Sequence, residues 1–394
     1  MARKKIYFGG GFFLLGFGLL FFASPYFFKP IEYNSNNANT KESSGTIPED
    51  GPAPFVATHI GTPEAVRGVY MTACVAGTPS LRDNVVKLIE DTELNSIIID
   101  IKDYTGTISF KTDNLLLEGV KGPGCRVSDM KQFIEFLHKK GIYVVGRITV
   151  FQDPYYSKLH PNLAIKKESD KNVLWKDKKG INYIDPGAKD MWDYIVSLSN
   201  EAYSAGFDEI NFDYIRFPSD GNMSDIYYPF SEGKISADID NGKAEVLKDF
   251  FAYLHDNLKD SGAKLSADLF GMTTINKDDL NIGQILEYAE PYFDFIAPMV
   301  YPSHYPKDFM GYENVNAHPY EIVKFSMDEA AKRLVAATST PLKLRPWLQD
   351  NDYPVHYTSE MVRAQIQATY DAGLTSWMLW DAANTYTREA LEIN

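Results

Sequence analysis

Beyond residue 63, short runs of β-branched and aromatic residues alternate with longer segments whose apolar positions recur every three or four residues, the pattern of strands separated by amphipathic helices. Eight strands are expected: Val66–Ala73, Ser96–Asp103, Ile142–Phe151, Glu209–Phe217, Leu265–Gly271, Phe295–Tyr301, Lys343–Gln349 and Ser376–Asp381. Helices are expected over Pro79–Glu93, Ser128–Lys140, Pro186–Ala205, Gly242–Ser261, Asn281–Ala289, His318–Ala337 and Ser359–Ala372. Gly141, Gly206, Gly262 and Gly373 follow helical stretches, where a left-handed glycine commonly ends a helix. Repeated βα units of this kind predict an α/β fold, a (β/α)8 barrel enlarged by insertions. The alternative, a doubly wound open sheet, would carry a glycine-rich phosphate loop after its first strand; "VYMTACVAGTPS" stands there instead.

The first 63 residues follow a different pattern. Arg3, Lys4 and Lys5 precede an uncharged stretch, Ile6 to Phe28, longer than the roughly 20 residues a helix needs to cross a bilayer. Residues 1–28 are therefore expected to be an uncleaved transmembrane signal anchor, a membrane partner in its own right. The positive flank would stay in the cytoplasm and place the rest outside it. A cleaved signal peptide is the alternative, although Phe21-Phe22-Ala23 suits a cleavage site poorly. Residues 29–63, dense in Asn, Ser, Thr, Gly and Pro, read as a flexible, disordered linker, and residues 64–394 as the barrel.

Composition narrows the function classes. The chain of 394 residues is 44% hydrophobic with a net charge of −14, and no basic block follows the N-terminus, so nucleic acid is not an expected partner. Two cysteines, Cys74 and Cys125, exclude a disulfide scaffold or a cysteine-rich metal site. They allow one disulfide outside the cytoplasm or, equally, two unpaired thiols in or near a core.

Barrel active sites form at the C-terminal ends of the strands, and this sequence crowds polar residues there. "SIIIDIKDYTG" carries Asp100, Lys102 and Asp103; "YVVGRITVFQDP" carries Arg147, Gln152 and Asp153; "GFDEINFDYIRFPSDG" carries Asp213 and Arg216; "LSADLFG" carries Asp268. The last strands add Tyr301, His304, Arg345, Trp347, Gln349, Asp350, Trp380, Asp381 and Asn384. Because alternate strand residues share a face, Asn211 and Asp213 face the barrel axis when Ile210, Phe212 and Tyr214 pack on the helices. A buried Asp213–Arg216 ion pair that merely fixes the strand is one reading. A sugar site is the other, since Tyr301, Tyr305, Trp347 and Trp380 would surround the same mouth and offer aromatic faces to the C–H face of a sugar.

The fourth strand resembles the signature of chitinase-like glycoside hydrolases, as do "MVY" (Met299–Tyr301) and "MLW" (Met378–Trp380). "FDYIRFPSDG", together with "DIKD", "PWLQD" and "WMLWDA", is more closely similar to an uncharacterised family of bacterial proteins classed as glycoside hydrolases, and the likeness covers nearly everything after Val66. Against the chitinase pattern, Asn211 replaces an Asp and Ile215 stands where the catalytic Glu belongs, so a chitinase mechanism is not implied. A fourth-strand nucleophile with a fifth-strand acid resembles amylase-like retaining barrels instead. On that resemblance Asp213 is the nucleophile, its charge stabilised by Arg216 or Arg147, and Asp268 the acid. Asp103, Arg147, Arg216, Tyr301, Trp347 and Trp380 would bind an extracytoplasmic polysaccharide, with no cofactor and no metal. Two further classes stay open: a non-catalytic carbohydrate-binding barrel, and a divalent-metal-dependent hydrolase using Asp100, Asp103, Asp213 and Asp268. Asp268 also reads as a loop cap.

Overall fold

The computed structural model describes residues 55–394. The expected anchor and most of the expected linker lie outside the described residues, and among the described residues no helix is long and apolar enough to cross a membrane. Eight parallel strands close into a barrel in chain order: β1 (Arg67–Met71), β2 (Ser96–Lys102), β3 (Tyr143–Thr149), β4 (Glu209–Asp213), β5 (Lys264–Phe270), β6 (Phe295–Met299), β7 (Trp347–Gln349) and β8 (Trp377–Trp380). Long helices at Pro79–Asp91, Met130–Lys139, Lys189–Ala205, Gly242–Leu258, Pro319–Ala336 and Ser359–Asp371 lie between strands, so the α/β barrel expected from the alternation is the fold.

Three elements stop short of their expected ends for local reasons. β4 ends at Asp213 because Tyr214 takes a left-handed φ of 51°, which no continuing strand tolerates. β7 shrinks to three residues because Pro341–Lys343 makes a helical turn and Pro346 then lacks a donor. The helix expected over Asn281–Ala289 is only Leu286–Ala289, since Leu280, Asn281 and Gly283 all have positive φ.

Burial divides the apolar residues into two layers. The larger cluster, including Ile99, Val144, Ile210, Phe212 and Leu269, lies between barrel and helices, and a smaller one of Tyr70, Ile98, Val145, Trp347 and Met378 fills the barrel. The lower interior is closed by Glu209, which accepts hydrogen bonds from Arg345 at 2.7 Å and from Tyr143 at 3.0 Å. Arg345 therefore sits in the floor rather than at the mouth. Below it the chain ahead of β1 is docked: the Ile60 N–H donates to Asp208 at 2.9 Å, and Thr62 and Tyr143 share a hydrogen bond of 3.2 Å. Cys74 and Cys125 form a disulfide joining the segments that follow β1 and β2.

Candidate active site

Arg147 is the centre of the site. Strand alternation turns it inward from β3, opposite Asp100 on β2 and Asn211 on β4. Beside it, Gly146 leaves its outer face to Ile101, whose side chain would lie 2.1 Å from any Cβ placed there. Arg147 Nη1 donates to Asp100 Oδ1 at 2.7 Å, its Nε donates to Asp213 Oδ2 at 3.1 Å, and its Nη2 donates to the same oxygen. Burial alone would lower the guanidinium's pKa, but the Asp213 and Asp100 carboxylates outweigh it and raise it well above the usual value. The site cation is permanently charged.

Asp268 comes from β5, whose register with β4 pairs Phe212 with Ala267, so Asp213 and Asp268 are the next facing positions. Asp268 Oδ1 accepts from Asn211 Nδ2 and from Trp347 Nε1, both at 2.8 Å. Its Oδ2 lies 4.0 Å from Arg147 Nε. With both donors on Oδ1, Oδ2 is the oxygen left to carry a proton. Burial and then the Asp213 charge push the Asp268 pKa well above the usual carboxyl range, and the pull of Arg147, Asn211 and Trp347 does not restore it. Two legs of 3.1 and 4.0 Å meeting at Arg147 Nε hold the Asp213 and Asp268 Oδ2 atoms within 7.1 Å of each other at any angle.

The remaining expected residues divide cleanly. Trp347, Trp380 and Tyr301 join the cluster: the Trp380 ring lies 5.3 Å from Arg147 Cζ and meets Trp347 edge-on at 5.7 Å. Burial, then Asp268 and Asp213, raise the Tyr301 pKa far above its usual value, leaving a neutral phenol beside two carboxyl groups. Asp103 and Arg216 do not join it. Asp103 Oδ1 caps its own turn, accepting from the Thr105 N–H at 2.9 Å and from Thr105 Oγ1 at 2.5 Å. Arg216 donates to the Phe217 carbonyl at 3.1 Å and to Ser219 Oγ at 3.2 Å. Arg216 stands three positions past Asp213, on the opposite face by strand alternation, and the left-handed Tyr214 ends the strand before it. Lys102 is displaced by a bulge after Asp100 and pairs with buried Asp153 at 2.8 Å beneath the helices. Asp350 bonds Thr387 at 2.6 Å and is pushed up to about 7, chiefly by burial.

Sequence reasoning missed Tyr70. Its hydroxyl donates to Asp100 Oδ2 at 2.5 Å and its ring stacks on Trp380 at 4.2 Å. The available signal was alternation along β1, which turns Tyr70 inward with Gly68, but an inward tyrosine on an apolar strand reads as core.

The profile of a family described as "Putative glycosyl hydrolase domain" matches residues 68–386, well over half of the chain and all eight strands save Arg67 at the start of β1. The chain belongs to this family. Among solved structures, this glycosyl hydrolase domain is similar to the PgaB (BpsB) glycoside hydrolase domain from Bordetella bronchiseptica, with TM-score 0.60 and 14% identity over 84% of this chain and 99% of that one. It is also similar to α-L-fucosidase isoenzyme 2 from Paenibacillus thiaminolyticus, with TM-score 0.56 and 13% identity over 83% of this chain and 48% of that one. A hypothetical protein from Ruminiclostridium thermocellum is 30% identical over 51% of this chain and 96% of its own length, with TM-score 0.44. No curated protein matches the sequence. The first two likenesses agree on the barrel, and the family supports a glycoside hydrolase-like domain.

Proposed function

We propose that the domain hydrolyses glycosidic bonds, with Asp213 as the ionised carboxylate and Asp268 as the proton donor. The observation that carries this is the asymmetry of the pair: Asp213 is held by the charged Arg147, while Asp268, buried beside that same anion, has its pKa pushed well up. One carboxylate facing a fixed cation and one carboxyl group held by neutral donors are the two unlike environments that glycoside hydrolysis uses. Retaining enzymes place them about 5 Å apart and inverting enzymes about 6.5 Å or more; the bound of 7.1 Å set by the two contacts at Arg147 Nε admits either. Asp213 would attack the anomeric carbon, or orient water towards it, while Asp268 protonates the departing oxygen. Trp380, stacked on Tyr70, would carry the sugar face.

A metal-assisted route is less well supported, because Arg147 already supplies the positive charge between Asp100 and Asp213. A carbohydrate-binding barrel without turnover is the second reading. It is favoured by the low side-chain exposure of Asp213, 7%, and of Asp268, 2%. The uncharged stretch Ile6 to Phe28 and the Cys74–Cys125 disulfide both favour a membrane-anchored protein working outside the cytoplasm, where envelope or exported polysaccharide is the available substrate.

The test is turnover of aryl glycosides and a polysaccharide panel by the full chain as a function of pH. An acid works only while protonated, so kcat/KM is expected to fall as pH rises through the elevated Asp268 pKa, on a limb lying above the ordinary carboxyl range. A limb at the usual carboxyl pKa would remove Asp268 as the acid; binding without turnover on every substrate would leave the lectin-like reading. Trp380→Ala is expected to raise KM roughly tenfold with little change in kcat, a loss of about 1.4 kcal/mol in stacking. An unchanged KM would take Trp380 out of the sugar platform.

A further inference from the structure

We propose that the loop following β3, joined by Arg216 from the loop following β4, forms a cationic shelf that binds negatively charged groups of the glycan, making the substrate an acidic polysaccharide bearing carboxylate or phosphate; this rests on the glycoside hydrolase reading of the adjoining strand ends. Residues 158–179 hold seven lysines against three acidic residues, in a chain whose net charge is −14. Lys176, Lys178 and Lys179 are exposed. Lys171 reaches Glu168 at 3.4 Å, but among the described residues Lys166, Lys167, Lys176, Lys178 and Lys179 have no carboxylate within 4.0 Å. Arg216, three residues beyond Asp213, likewise has no carboxylate partner among them and lies 5.0 Å from the Tyr214 ring. Unpaired like charges gathered on one surface repel one another and raise the local concentration of an anionic ligand.

The shelf is braced and continuous with the strand ends. Gln152, just past β3, bridges Tyr183 and donates to Asp177 at 3.5 Å. Asp177 Oδ1 accepts from the Lys179 and Ile181 N–H groups at 2.9 and 2.8 Å, closing the turn that exposes the lysines. Buried Trp175 donates to the Asn222 carbonyl at 2.9 Å, and Lys166 bridges Tyr227, so the two loops hold each other. Buried Tyr183 neighbours Arg216, Tyr214 and Asp177, which links the lysine turn to the residue after Asp213. Between the loops lies a cleft of about 380 Å³ lined by Lys167, Leu174, Trp175, Lys176, Asn222 and Asp225. Its one carboxylate, Asp225, accepts from the Ser169 N–H at 2.7 Å.

The test measures binding by the full chain carrying Asp213→Asn, against size-matched polygalacturonate, poly(glycerol phosphate) and dextran. At least one polyanion is expected to bind about tenfold or more tighter than dextran at low salt, and the preference to vanish at about 0.5 M NaCl, where charges beyond a few ångströms are screened. Which polyanion is preferred distinguishes carboxylate from phosphate. Lys176→Glu/Lys178→Glu/Lys179→Glu in the same chain is expected to lose that preference while dextran binding and the thermal midpoint stay put. Equal affinity for dextran and both polyanions, or an unaltered preference in the triple variant, overturns the shelf. A preference that holds while the chain with Asp213 intact cleaves neither polyanion and no aryl glycoside, neutral or acidic, keeps the shelf and counts against the hydrolase instead.

Discussion

Asp213→Asn is expected to lower kcat on every glycoside by roughly 10⁴-fold, the scale on which loss of a nucleophile acts. Asparagine keeps the volume and still offers an oxygen to Arg147 Nε and Nη2, although its amide then faces the Tyr214 N–H that donates to Asp213 Oδ1 at 2.5 Å. The change thus removes charge rather than shape, and the fold should survive it. Asp268→Asn carries a separate expectation. Losing the acid should cost about 10²–10⁴-fold on substrates with poor leaving groups, and much less on a dinitrophenyl glycoside, whose leaving group departs without protonation. The split between the two leaving groups, read as kcat/KM, assigns the roles. Equal losses on both would mean that Asp268 is not the proton donor, and retained activity in Asp213→Asn would end the assignment of that carboxylate.

Arg147→Met should be the most destabilising single change at this end of the barrel. It leaves Asp100, Asp213 and Asp268, all at most 5% exposed, without their shared cation. Removing one member of a buried ion cluster costs about 3–5 kcal/mol, because uncompensated charge stays in the interior; for a domain of this size that corresponds to a fall in Tm of roughly 10 °C. The sign of its pH dependence follows from linkage. Without Arg147 the folded-state pKa values of Asp100 and Asp268, already raised chiefly by burial, rise further above their unfolded values. The variant is therefore least penalised below the unfolded carboxyl pKa, where the groups are protonated in both states, and loses stability as pH rises. Thermal melts across acidic to neutral pH check this: a Tm deficit that does not shrink on acidification would show that Arg147 is not holding ionised carboxylates.

Much of this was legible along the chain. The alternation of strand and helix patterns, punctuated by glycines such as Gly206 with its φ of 116°, predicts the barrel, because each element's period is set by local geometry and by which face must be buried. Alternation also turned Asp213 inward, and the mouth aromatics Trp347 and Trp380 met where strand-end position put them. The counter-charge was legible only as a choice between Arg216 and Arg147. Arg216 stands near Asp213 in sequence, yet Arg147, 66 residues away, is its partner, because strand neighbours across a barrel are set by closure and register rather than by chain distance. The same holds for Tyr70 and Asp100, which meet across adjacent strands.

The sequence by itself determined the architecture, the inward face of each strand and the inventory of carboxylates at the barrel mouth, since these depend on residue period and position along an element. Tertiary structure alone decided which carboxylate meets which cation, that Asp103 turns back on its own loop, and that Asp268 is pushed toward its neutral form. Desolvation and the field of neighbouring charges act through space, and no spacing along the chain encodes them until the barrel closes.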